Sequence, residues 1–126
     1  LSYVTSIAQD KNGYLWFGTQ DGLNKYDGYS FVVYKHDPFN ENSIPSGDII
    51  DILVDKKGKM WLGTDGGGLA RFDPKKETCL RLEHDPSDSL SLSSNSITSL
   101  YQDSGGNIWV GTNYGLNKID KAIDQD

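Results

Sequence analysis

Three tryptophans, Trp16, Trp61 and Trp109, stand 45 and 48 positions apart, each inside a copy of the same phrase. The copies are "YLWFGTQDGLNKYD", "KMWLGTDGGGLARFD" and "NIWVGTNYGLNKID". Six residues before each tryptophan is an aspartate (Asp10, Asp55, Asp103), and after it come an apolar residue and Gly-Thr, with Gly18, Gly63 and Gly111 as the glycines. Leu23, Leu69 and Leu116 match, as do Asp27, Asp73 and Asp120. Self-similarity at a period near 45 residues restricts the chain to propeller blades or solenoid units.

Segment type separates these two. Each copy holds short segments bounded by turn residues, and none has the length of a typical globular helix. "VTSIAQD", "IDILVD" and "ITSLYQD" align as a first strand ending in Asp-x-x-Gly, a type I turn signature. The "LWFGT" segment is a second strand, "LNKYD" a third, and "SFVVYKH" or "TCLRLEH" a fourth. Four antiparallel strands per repeat make a propeller blade. The fold expected is all-β: a partial β-propeller of about three blades, the third incomplete. Residues 1–48 form the first blade with its inter-blade loop, 49–96 the second with its loop, and 97–126 the incomplete third. In the fourth strand, Leu80 and Leu82 alternate with Arg81 and Glu83, which predicts leucines inward and charges in water. The repeated glycines predict bulges or close approach by a neighbouring backbone or indole. The tryptophans are read as large packing units between blades.

Rings typically need four to eight blades. After "LNKIDKAIDQD" no fourth strand of the third blade is discernible, so apolar faces are expected at both ends of the stack. Homo-oligomerisation of the isolated chain follows as an expectation. Leu1, lying a few residues before the first repeat, reads as the start of a piece excised from something longer. Among 126 residues the formal charge is −6, and the twelve lysines and arginines look scattered along the chain. Nucleic acid and direct membrane contact are therefore poor expectations. One cysteine, Cys79, excludes a disulfide framework and reads as a small packing residue.

Hairpin geometry sorts the loops. Turns between second and third strands share one face with the inter-blade connections, which are long and polar: thirteen positions separate His36 from Ile49 and His84 from Ile97. Loops on a rigid scaffold carry binding residues. Ligand contacts are expected at Gln20, Asp21, Asp65, Asn113 and Tyr114, then at Phe39, Asn40 and Asn95. Turn chemistry explains Asp21-Gly22 and Asp65-Gly66 equally well, so for these both readings stay open. His36 and His84 occupy one repeat position on different blades and read as strand ends rather than metal ligands. Asp10, Asp55 and Asp103 lack the spacing of a calcium loop and read as turn residues. No catalytic residue, metal or cofactor is assigned.

"SIAQDKNGYLWFGTQDGLNKYDGYSF" and "ITSLYQDSGGNIWVGTNYGLNKID" resemble the two-component regulator propeller repeat, and the resemblance covers nearly the whole chain. It implies the extracytoplasmic, periplasmic sensor of a hybrid two-component system, best known from Bacteroides-type bacteria. Such receptors carry two propellers, a β-sandwich and a membrane span, followed by cytoplasmic histidine kinase, receiver and DNA-binding regions. Many sense oligosaccharides. On this resemblance the segment is a non-catalytic part of a glycan sensor. The alternatives are a propeller enzyme of the lyase type and a protein-interaction or dimerisation module.

Overall fold

In a computed structural model, which describes residues 3–120, the chain is built from strands with no helix among those residues. The first sheet runs β1 (Val4–Gln9), β2 (Leu15–Thr19), β3 (Gly22–Tyr26) and β4 (Phe31–Tyr34), paired in chain order. The second repeats it with β5 (Asp48–Val54), β6 (Met60–Asp65), β7 (Leu69–Asp73) and β8 (Thr78–Leu82). The third has β9 (Ile97–Gln102), β10 (Ile108–Thr112) and β11 (Gly115–Lys118). Every pairing is antiparallel. Residues 121–126, where no fourth strand was discernible, lie outside the described residues, as do Leu1 and Ser2.

The hydrophobic core lies between blades rather than within one. One cluster joins Trp16 and Leu23 of the first blade to Ile49, Ile52, Met60, Leu62 and Phe72 of the second. The next joins Trp61 and Leu69 to Ile97, Leu100, Ile108 and Val110 of the third. A single repeat position shows what this packing does. Leu23 and Leu69 are 0% exposed, whereas Leu116, with no blade beyond it among the described residues, is 65% exposed. A blade's own strands do not cover its leucine; the following blade does. At the other end Ile7, Phe31 and Val33 stand exposed, so both ends of the stack show apolar side chains.

The repeated glycines mark close approach, though not of the expected kind. A Cβ on Gly18 would lie 2.7 Å from Ile49 Cγ2, and one on Gly63 the same distance from Ile97 Cγ2. The intruder is thus the branched side chain that opens the next blade's first strand. A bulge is present too, on the partner strand. Val4 pairs with Thr19 and Ser6 with Gly18, leaving one extra residue in β1, and the irregularity recurs opposite Gly63 and Gly111. The extra residue bends the first strand where its neighbour must pass over the glycine.

The outer strand departs from the expected alternation. In β8 it is Cys79 that is buried and Leu80 that is 44% exposed. Arg81, expected in water, is half-buried and points at the connection preceding its blade. Its Nε donates to the Ser43 carbonyl at 2.9 Å, and Nη2 donates to the Asn40 carbonyl at 3.1 Å and Ser43 Oγ at 2.8 Å. A loop crossing the sheet edge supplies acceptors on the side where alternation alone predicts leucine. Burial also pushes the Cys79 thiol up to about 12, in keeping with an inert packing role.

Candidate functional site

Three turns of one design hold each blade together at one rim. Asp10 Oδ1 accepts the amides of Asn12 and Tyr14, while Oδ2 accepts the Trp16 indole N–H at 2.9 Å. Asp55 and Asp103 repeat this, each binding its tryptophan at 2.9 Å. The six-residue spacing therefore has two causes, a turn and a charge-assisted bond to the packed indole. The second was missed in the sequence, although the constant Asp-to-Trp distance carried it. Donation from the Trp109 indole and from Asn107 holds the Asp103 carboxyl well below the usual carboxylate range. A cation lies over each indole as well: Lys25 over Trp16 at 5.7 Å, Arg71 over Trp61 and Lys118 over Trp109 at 5.9 Å.

The opposite rim gathers most of the expected contact residues. Gln20 and Asp21 are exposed on the β2–β3 turn, whose backbone is fixed by Thr19 Oγ1 accepting the Asp21 amide at 3.0 Å. Gly22 in that turn has φ of 127°, and a Cβ there would lie 2.3 Å from the Tyr34 carbonyl oxygen, so its role is structural. Between the second and third blades the rim is tightly joined. The Asn95 carbonyl accepts the amides of Gly66 and Gly68, Asp65 bridges to Ser96, and the Asn113 amide donates to the Ser96 carbonyl. Asn95 Oδ1 accepts the His84 amide at 2.6 Å, and Asn113 Oδ1 accepts from Ser94 Oγ at 2.6 Å. Asp65, Asn95, Asn113 and Tyr114 thus lie together, and Tyr114 is 77% exposed.

Phe39 and Asn40 sit elsewhere, at the tip of the first connection beside the outer strand. Phe39 is 97% exposed, and the Asn40 carbonyl accepts from Arg81. Both connections are closed by their own polar groups. His36 Nδ1 donates to the Ile44 carbonyl at 2.8 Å and His84 Nδ1 to that of Leu92 at 2.6 Å, while Ser43 and Ser91 accept the amides of Asp37 and Asp85. The histidines are loop clasps, which agrees with reading them as strand ends. Ile44 and Leu92 are delivered into the two core clusters by this closure.

The scattered cations of the sequence are not scattered in space. A groove of about 930 Å³ beside the β1–β2 and β5–β6 turns is lined by Lys11, Lys57 and Lys59. Lys25 and Arg71 reach it from third strands, and Lys75 and Lys76 from the β7–β8 hairpin. Seven of the twelve lysines and arginines therefore share one groove. Stacking two repeats brings together residues 65 positions apart, which a linear view disperses.

These blades, joined by the Trp–Asp turns and the Gly–Ile contacts, define a β-propeller repeat protein. The two component regulator propeller family matches residues 1–21, 43–66 and 91–114, over half of the chain, and the chain belongs to that family. Histidine kinase P4 of Formosa agariphila is 54% identical over 43 residues, a stretch covering 34% of this chain and 3% of that protein. The extracellular domain assigned to hybrid two component system BT3049 of B. thetaiotaomicron superposes with a TM-score of 0.87 at 31% identity, covering 96% of this chain and 17% of that one. A streptogramin B lyase superposes with a TM-score of 0.57 at 16% identity, over 93% of this chain and 40% of the lyase, which shows a shared fold alone. The chain thus spans a small part of the sensor proteins it matches and is homologous to extracellular sensor domains of hybrid two-component systems.

Proposed function

We propose that this chain supplies blades to the periplasmic sensor region of a hybrid two-component histidine kinase and takes part there in recognising an oligosaccharide, without catalysing a reaction. Family membership supports the sensor part. The recognition part rests on one observation: a rim whose backbone is locked between blades while polar side chains and Tyr114 stand exposed on it. Rigid turns presenting an aromatic ring among amides and carboxylates suit a sugar, because little entropy is lost on binding. Ligand-dependent packing against neighbouring domains would carry the signal onward. The lyase likeness supports a shared fold alone, and the repeated Asp10, Asp55 and Asp103 serve turns and indoles.

The test is calorimetric titration of the protein with defined neutral and acidic oligosaccharides, repeated on Tyr114→Ala. Binding to at least one sugar is expected, weakened on the order of tenfold by the substitution, as for removal of an exposed aromatic anchor. If no sugar binds, the recognition reading falls. If Tyr114→Ala binds equally well, this rim is not the site.

A further inference from the structure

We propose that the groove between the first two blades, on the rim opposite Gln20 and Tyr114, binds an anionic oligosaccharide bearing carboxylate or sulfate groups. Its sugar component rests on the sensor reading above; its charge requirement stands on the groove itself.

The charge distribution is lopsided. Seven cationic side chains line the groove against two acidic ones, Asp10 and Asp73, leaving sixteen acidic and five basic residues for the rest of the chain. Both lining aspartates are already engaged as acceptors. Asp10 holds the Asn12 and Tyr14 amides and the Trp16 indole, and Asp73 Oδ1 accepts the amides of Lys75 and Lys76. A basic cleft in a surface of net negative charge focuses the field and draws an anion to the groove in preference to the rest of the chain. The same acidity disfavours a long polyanion such as nucleic acid, whose phosphates would extend over the repelling surface. A short, discrete anionic chain is the better match.

Shape and lining agree with a sugar. About 930 Å³ lies at the upper end of ordinary ligand pockets. Beside the cations the walls include Tyr14, Phe72 and Leu80. Leu80 is the side chain that the alternation placed inside and the fold leaves 44% exposed. An apolar wall next to ammonium groups fits a ring with one apolar face and acidic substituents. Lysines act as point charges and impose no bidentate geometry. Some cations also have fixed positions: Lys25 Nζ lies 4.1 Å from the Tyr14 ring centre, and Lys11 Nζ donates to the Lys56 carbonyl across the blade interface.

Calorimetric titration with tetragalacturonate, a sulfated tetrasaccharide, a neutral tetrasaccharide, inorganic sulfate and a short single-stranded DNA tests the idea, at two salt concentrations. The variant is Lys75→Glu/Lys76→Glu, on the exposed hairpin, with Lys75→Gln/Lys76→Gln as a milder second. The expected result is binding of an acidic tetrasaccharide, at least about tenfold tighter than the neutral one. The Glu variant should weaken it on the order of tenfold and the Gln variant less, both with an unchanged melting temperature. Equal affinity for neutral and acidic sugars, or unchanged binding by both variants, overturns the groove while leaving the sensor reading intact. Sulfate or DNA binding as tightly as the acidic sugar reduces the groove to general anion attraction and overturns the proposal. No binding by any sugar overturns both.

Discussion

Gly63→Ala probes the joint between the second and third blades. The added Cβ would lie 2.7 Å from Ile97 Cγ2, 3.3 Å from Ile97 Cβ and 3.6 Å from Leu100 Cγ. Carbon atoms rest about 3.5–4.0 Å apart, so the new methyl overlaps Ile97 by about 1 Å. Ile97 is buried and β-branched, which restricts its χ1 and resists relief of the overlap. Overpacking of this kind costs about 1–3 kcal/mol, offset by about 0.5–1 kcal/mol from removing a strand glycine. A net loss of about 1–2 kcal/mol is expected. Ile97→Ala alone should cost about 2–5 kcal/mol through its cavity. In the double variant the methyl added at position 63 enters the vacated space, and Gly63→Ala becomes neutral or mildly stabilising. Urea unfolding followed by tryptophan fluorescence gives all four stabilities. The double variant should exceed the additive sum by about 2 kcal/mol, and additivity within about 0.5 kcal/mol refutes the contact as the reason for the glycine. Gly111→Ala makes the contrast: its Cβ would meet Ser99 Oγ at 2.6 Å, a hydroxyl on an exposed residue that can rotate away, so the loss should be smaller.

Asp55→Ala removes acceptors for two amides and strands the buried Trp61 indole N–H, so a loss of about 3 kcal/mol or more is expected in the urea midpoint; a loss under about 1 kcal/mol would show that the indole bond is incidental. Arg81→Met frees the first connection from the outer strand, and amide exchange at Asn42 and Ser43 should accelerate with a global loss of about 1–2 kcal/mol; unchanged exchange would mean the loop holds itself. Asp103 has a lowered folded pKa, so its contribution is present above the ordinary value of 3.8 and is lost only as pH falls through the lower folded value. Carboxyl carbon NMR should place its midpoint below that of an unengaged aspartate, and an ordinary midpoint would contradict the Trp109 and Asn107 bonds.

Blades, turns and the tryptophans' place between sheets were legible because each is stated by a repeat: Asp-x-x-Gly, Trp-x-Gly-Thr, and the leucine after the second turn. What stayed hidden depends on chain that is distant in sequence. The orientation of Arg81 follows from acceptors in residues 40–44, nearly forty positions earlier, which strand alternation cannot register. The basic groove arises from cations between positions 11 and 76, gathered by stacking. Part of it was readable: Lys25 and Arg71 share one repeat position. Hairpin logic put Gln20, Asp21, Asp65, Asn113 and Tyr114 on one rim, with Phe39, Asn40 and Asn95 next, and of these Asp65, Asn95, Asn113 and Tyr114 lie together. Phe39 and Asn40 were grouped with them because a linear view does not show how far a closed connection swings toward the sheet edge.

The glycine under the next blade's isoleucine has a bearing on how such chains grow. Both joints pair a socket in a second strand with a peg at the start of the next first strand: Gly18 receives Ile49, and Gly63 receives Ile97, while the first repeat carries the β-branched Val4 at the peg position. Copying one repeat therefore copies both halves of the joint. An in-frame duplication or deletion of a whole unit would leave every remaining socket facing a compatible peg, with no new interface to be invented. Unequal recombination can thus change the number of repeats while preserving the local fit, and selection is left to act on what the altered ring encloses.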